Sequence, residues 1–202
     1  MGESDFGRLN LGRIGYLNVL PVYYPLENGI ITHPFTIIPG VPSYLNELAA
    51  NGELDISPVS SIEYARHSDL YYIVPDLSIS SFGKVKSVLL LSRYPVEQLS
   101  GRDILMSSQS HTSVGLLKIL AKLRFGIEPR FRVGTPRQGQ DGEDCRADAF
   151  LAIGDEALRL SGSGSYPEIV DLGAAWYEWT HLPFVFALWV VRRRAIEEKN
   201  GR

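Results

Sequence analysis

The sequence predicts an α/β fold built as two lobes, and three observations predict it. Short apolar runs alternate with stretches of helical spacing, the pattern of mostly parallel strands joined by helices. The runs fall into two groups, divided near residue 84, and a last run, "FVFALWVV", stands apart from the second group. Hydroxyl and amide side chains cluster at the predicted strand ends, where open α/β sheets bind their ligands. The lobes expected are residues 1–84 and 85–184, with 185–202 returning a strand to the first lobe and a ligand cleft between the two.

In the first lobe, "RIGYLNVLPVYYPLE" predicts a strand over Arg13–Leu17, a turn at Asn18 and a helix over Pro21–Glu27. Pro21 suits a first helical turn, where its missing N–H has no intrahelical partner to lose, and Asn28-Gly29 ends the helix. Asn18 has two readings, a helix cap and a polar group at a strand end. "FTIIPG" reads as a strand. The helix that follows, in "VPSYLNELAANGELD", takes Ser43 as its candidate N-cap, sets Leu45, Leu48 and Ala49 on one face, and stops at Gly52. Asp55–Ser61 and Leu70–Val74 read as strands, with a helical turn in "IEYARH" between them.

The second lobe opens with Lys84–Ser92 and continues through "RDILMS" to a helix over Ser113–Arg124 closed by Gly126. Then come "FRV", "AFLAIG", a short helix from Asp155, and "EIVDLG". Gln138–Cys145 is a polar, Gly-rich loop and Ser161–Ser165 a short flexible connector.

Composition excludes several classes. The 202 residues are 45% hydrophobic and 21% charged with net charge −3, an ordinary globular balance without the basic footprint of a nucleic-acid binder. Cys145 is the single cysteine, and His33, His67, His111 and His181 lie in no metal-ligand spacing, so neither a disulfide nor a metal site is expected. No apolar run precedes the first strand, and Leu182–Val191 is too short for a membrane span of about 20 residues. A cytoplasmic protein that binds no membrane is the expectation.

At the strand ends stand Asn18, then Ser60 and Ser61, then Ser80, Ser81 and Ser87 about the crossover, then Ser110, Thr112 and Ser113, and Asp155. In "SQSHTSVGLL", Thr112 or Ser113 caps a helix whose free N–H groups suit a carboxylate or phosphate; the plain reading is a cap without a ligand. His111 beside it is a proton carrier or a second anion contact. Trp176 and Trp179 fit a packed helix face, and Asp155 and Glu156 fit helix-dipole charges. Asp55 and Glu63 are unspecific as an acid–base pair. No nucleophile elbow, P-loop or GxGxxG fingerprint occurs.

The blocks "RIGYLNVLPVYYPLE", "DISPVSSIEYAR", "GKVKSVLLLS", "SHTSVGLLKIL", "AIGDEAL" and "DLGAAWYEWTHLPFVFALWV" resemble, in order, those of the chorismate dehydratase family of the futalosine route of menaquinone synthesis. The resemblance implies a type II periplasmic-binding-protein fold used by a cytoplasmic enzyme without metal or organic cofactor. It implies loss of water from chorismate to give 3-[(1-carboxyvinyl)oxy]benzoate. By the same resemblance Asn18 is the catalytic contact, Ser87, Thr112 and Ser113 bind substrate carboxylates, and Ser60 and Ser61 are weaker contacts on the facing lobe; Tyr16 and His111 are further candidate substrate contacts. His181 stands where the family commonly carries Gly, so a different local turn is expected. The family also runs on into C-terminal helices beyond position 202, so self-association covering the surface they leave is an expectation. Two alternatives remain: a non-catalytic protein of this fold binding a small carboxylate, and the sister 1,4-dihydroxy-6-naphthoate synthase, whose Ser-Pro-Cys-Pro-Asn-Asp type of opening this chain lacks.

Overall fold

A computed structural model describes residues 9–106, 110–134 and 147–200. The predicted loop Gln138–Cys145 lies outside the described residues. The chain forms two compact units: residues up to Ile79 with those from Ala187 onward, and Ser80–Phe186.

The first unit is built on a sheet of order β2-β1-β3-β10-β4. β1 (Leu9–Ile14) runs parallel to β2 (Phe35–Gly40) and to β3 (Ile56–Ser60), while β10 (Phe184–Arg192) runs antiparallel to β3 with Ala187 opposite Ser60. β4 (Tyr71–Ser81) holds the far edge. Helices α1 (Leu20–Glu27), α2 (Pro42–Asn51), α3 (Ser61–Arg66) and α7 (Arg193–Asn200) belong to the same unit. Leu11, Ile14, Tyr23, Leu45, Leu54 and Trp189 belong to its core cluster, removed from water at roughly 25 cal/mol per Å² of apolar surface.

The second unit has a sheet of order β7-β6-β8-β5-β9. β6 (Asp103–Met106) is parallel to β7 (Arg130–Val133) and β8 (Ala149–Ile153); β5 (Val88–Ser92) is antiparallel to β8 and β9 (Glu168–Asp171). All five residues of β5 and the first four of β8 are buried, as expected of central strands covered on both faces. The helices are α4 (His111–Ile119), which continues as a π-helical turn over Leu120–Arg124, α5 (Asp155–Ser161) and α6 (Leu172–Thr180).

Several element boundaries differ from the sequence expectation. The first strand is Leu9–Ile14 rather than Arg13–Leu17, because its neighbour β2 ends at Gly40 opposite Ile14 and leaves the apolar Tyr16-Leu17 nothing to pair with. Ser43 does not cap α2: Pro42 occupies the first turn and Val41, in an extended conformation, holds the cap position without a side-chain bond. Leu45, Leu48 and Ala49 are buried along α2, and Gly52 ends it at φ +84. β4 runs on to Ser81 through Pro75 and Asp76, where a φ of +61 at Asp76 breaks the apolar pattern without ending the strand. His181 adopts φ +59 after α6, so the backbone makes the left-handed turn that glycine favours, with a histidine bearing it.

Candidate functional site

In the first unit β1 and β3 end side by side, at Ile14 and Ser60, so Tyr16, Asn18, Ser60 and Ser61 all emerge from one sheet edge. Asn18 sits in a short 3-10 turn, Leu17–Val19, between β1 and α1. No side chain caps α1, so the capping reading of Asn18 is not the one the structure uses; its amide is exposed and makes no hydrogen bond among the described residues. Tyr16 is half-buried against the core.

The turn is held by what surrounds it. Gly12 in β1 lies so close to β3 that a Cβ there would clash with Ser57 Oγ. The Tyr23 phenol of α1 donates to the Gly12 carbonyl at 2.6 Å, and burial pushes that phenol up to about 12. Helix and strand are thereby pinned on the two sides of Asn18.

Ser60 is committed to the fold. Its Oγ accepts from Asn46 Nδ2 (3.0 Å) and from Glu63 N (3.2 Å), and its own N–H donates to Asn46 Oδ1 (3.1 Å). The serine is therefore the N-cap of α3, and Ser61 follows it as the first helical residue. Asn46 escaped the sequence reading, although a polar residue inside the apolar face of α2 is the signal that finds it. Glu63 is buried, accepting from the Tyr71 phenol at 3.3 Å with His67 Nδ1 at 2.7 Å; burial, then the Glu63 charge, raise the Tyr71 phenol. Asp55 instead accepts the Asn10 amide at 2.7 Å, at the opposite end of β3, so Asp55 and Glu63 form no pair.

In the second unit β6 and β8 end at Met106 and Ile153, and β5 begins opposite Ile153. Ser87, Gly154 and the start of α4 therefore share an edge. The Gly154 amide donates to the Ser87 carbonyl at 2.7 Å, and among the described residues the half-buried Ser87 Oγ has only a long contact of 3.4 Å to Val85 O. The cap of α4 is Ser110, not Thr112 or Ser113: Ser110 Oγ accepts the Ser113 amide (3.3 Å) and donates to Ser113 Oγ (2.9 Å). A cap must lie outside the helix, and α4 already begins at His111. Thr112 and Ser113 are consequently buried on the helix, while His111 is exposed without a hydrogen bond among the described residues.

Other features involve none of the predicted substrate contacts. Trp176 packs edge-on against Trp179 and against Phe184, with ring centroids 5.9 and 5.2 Å apart. A surface cavity of about 540 Å³ in the second unit, lined by Leu89, Arg124, Phe125, Asp171 and Glu178 among others, includes none of the predicted site residues. Among the described residues no group of three His, Cys, Asp or Glu is placed to hold a metal ion, and no helix is long and apolar enough to cross a membrane.

Both edges thus offer amide and hydroxyl groups and helix starts that can orient an anion, with His111 and Asp155 as the ionisable groups beside those of the second unit. Comparison with known proteins adds the family. A family model described as menaquinone biosynthesis matches residues 9–202. The chain is 34% identical over 198 residues to the chorismate dehydratase of Thermus thermophilus, covering 91% of this chain and 69% of that one. It is 34% identical over 181 residues to the chorismate dehydratase of Campylobacter jejuni, covering 87% of this chain and 64% of that one. The 1,4-dihydroxy-6-naphthoate synthase of T. thermophilus is a weaker match, 28% identical over 190 residues, 90% of this chain and 67% of the synthase. In fold, the chain superposes on a crystal structure of an Archaeoglobus fulgidus protein with a TM-score of 0.72 at 20% identity, over 92% of this chain and 68% of that one. The periplasmic aliphatic sulphonate binding protein of Escherichia coli gives 0.62 at 15%, over 96% and 68%. The architecture is the α/β fold of periplasmic binding proteins, and the chain belongs to the menaquinone biosynthesis family, beside its chorismate dehydratases.

Proposed function

We propose that this protein removes water from chorismate to give 3-[(1-carboxyvinyl)oxy]benzoate, acting as a carbon–oxygen hydro-lyase in the cytoplasm. The observation that carries the reading is 34% identity to a chorismate dehydratase across nearly the whole chain. The reaction takes the proton from ring C3, places its electron pair in the new C3=C4 bond and expels the C4 hydroxyl, which leaves as water. The ring becomes aromatic, so much of the driving force resides in the substrate and the protein's task is to hold a reactive geometry.

In this reading the Asn18 amide, exposed and without a hydrogen bond among the described residues, orients the leaving hydroxyl. Ser87 and the start of α4, with Thr112 and Ser113, bind substrate carboxylates; Tyr16, Ser61 and His111 are lesser contacts. Ser60 contributes by setting α3 in place. The enolpyruvyl carboxylate of chorismate itself takes the C3 proton and delivers it to the departing hydroxyl; the amide of Asn18 and the hydroxyl of Ser87 are too weakly basic to take it.

The test is product formation from chorismate by purified protein, followed by chromatography. Asn18→Ala is expected to cut kcat by about 10²-fold or more, the scale of losing one donor aimed at developing charge, without moving the melting temperature. A nearly normal rate removes Asn18 from the mechanism, and absence of product from the unaltered protein removes the function. A methyl ester of the enolpyruvyl carboxylate is expected to bind without reacting; normal turnover of it excludes the substrate as its own base.

A further inference from the structure

The segment leading into β5 is held by one carboxylate from a distant part of the chain. Asp171 ends β9 and caps α6: its Oδ1 accepts from Ala174 N (3.0 Å) and from Val85 N (3.1 Å), and its Oδ2 from Lys86 N (2.8 Å). Lys86 has φ +63, a conformation that L side chains avoid unless their surroundings impose it. The next residue is Ser87, whose carbonyl is held by the Gly154 amide at 2.7 Å. The start of α6 is pressed onto the same segment: a Cβ at Gly173 would lie 2.6 Å from Gly83 O and 2.7 Å from Ser81 Oγ. That close approach is what brings Asp171 within reach.

Capping explains only part of this arrangement. A cap needs one acceptor oxygen, and Asn serves nearly as well as Asp there. The second oxygen is used on the left-handed turn that sets the direction of Ser87.

We propose that Asp171 is a positioning residue for the reaction, clamping the Lys86 turn so that the Ser87 hydroxyl is aimed at a substrate carboxylate. The inference rests on the reading of Ser87 as a carboxylate contact. Asp171→Asn separates the two duties, since its single oxygen keeps the Ala174 cap while its NH₂ faces, and cannot accept from, the Lys86 amide.

The experiment compares steady-state kinetics on chorismate for the unaltered protein, Asp171→Asn, Ser87→Ala and the double variant, with melting temperatures and amide hydrogen exchange at Val85, Lys86 and Ala174. Asp171→Asn is expected to raise KM about tenfold, the effect of one charge-assisted hydrogen bond, with kcat within about twofold and an unchanged melting temperature. Exchange at Lys86 is expected to quicken while that at Ala174 stays slow, and the double variant to be no worse than Ser87→Ala alone. An unchanged KM in Asp171→Asn beside an impaired Ser87→Ala overturns the clamp and leaves the Ser87 reading standing. Losses that multiply in the double variant, or a fall in kcat that tracks a lowered melting temperature, likewise overturn it. A wild-type KM in Ser87→Ala overturns the Ser87 reading and the inference together.

Discussion

Replacing Tyr23 by Phe tests how α1 is fastened to β1 behind the Asn18 turn, and its effect on stability is expected to change sign with pH. Near neutrality the Tyr23→Phe variant loses a buried hydrogen bond of 2.6 Å and leaves the Gly12 carbonyl without that donor, at a cost of about 1–2 kcal/mol. The Tyr23 phenol is fully buried, and burial carries its pKa from 10.0 to about 12. The folded state therefore holds the proton to higher pH than the unfolded state does. The stability this represents is present below pH 10.0 and is lost as pH rises from there through about 12. At about 1.4 kcal/mol per pH unit, the wild type gives up roughly 1.4 kcal/mol by pH ~11 and just over 2 by pH ~12. The variant has no such group, so the gap is expected to close near pH ~11 and reverse beyond it. Tyr71, whose phenol is also raised, is common to both proteins and cancels in the difference. Urea unfolding followed by tryptophan fluorescence at several pH values between neutrality and pH ~11.5 measures the gap directly. A gap that stays constant across that range refutes the buried, uncharged phenol and the attachment built on it.

Gly12→Ala is expected to cost about 1–3 kcal/mol, since its Cβ clashes with Ser57 Oγ and meets Leu54 Cδ1 at 3.0 Å; adding Ser57→Ala should restore part of the loss in thermal unfolding. Asn46→Ala removes two hydrogen bonds to the buried Ser60 and is expected to lower stability by about 2 kcal/mol or more, measured by calorimetry. His181→Gly is expected to raise stability by about 0.5–1 kcal/mol, because His181 sits at φ +59; a lowered melting temperature would show that its edge contact with Tyr177 outweighs the backbone strain.

The legible parts of the fold were those fixed by local pattern. The buried face of α2, the run of β5 and the stop at Gly52 each follow from periodicity or from a backbone conformation that one residue type favours. The end of β1 differs from the expected Leu17 because Tyr16 and Leu17 continue an apolar run, and only the length of β2 decides where pairing stops. The cap of α4 was placed two or three residues late because Ser110, Thr112 and Ser113 are all competent; the choice depends on which one stays outside the first turn. At the candidate site, Asn18, Ser87, Thr112 and Ser113 are proposed from their chemistry and from the resemblance. Asn46, which commits Ser60, shows locally only as a polar residue on an apolar helix face, and Asp171, which accepts from Val85 and Lys86, lies 86 and 85 positions from them.

By itself the sequence determined the fold class, the sites of several helices and strands, and which polar residues stand near strand ends, because these depend on neighbours within a few positions. The tertiary structure decided which of those residues are already spoken for. Asn46 takes up Ser60 from 14 positions away, and Asp171 reaches Lys86 across 85. A hydrogen bond is short-ranged in space but indifferent to separation along the chain, so only the folded arrangement shows whether a hydroxyl is free for a ligand or used by the protein itself.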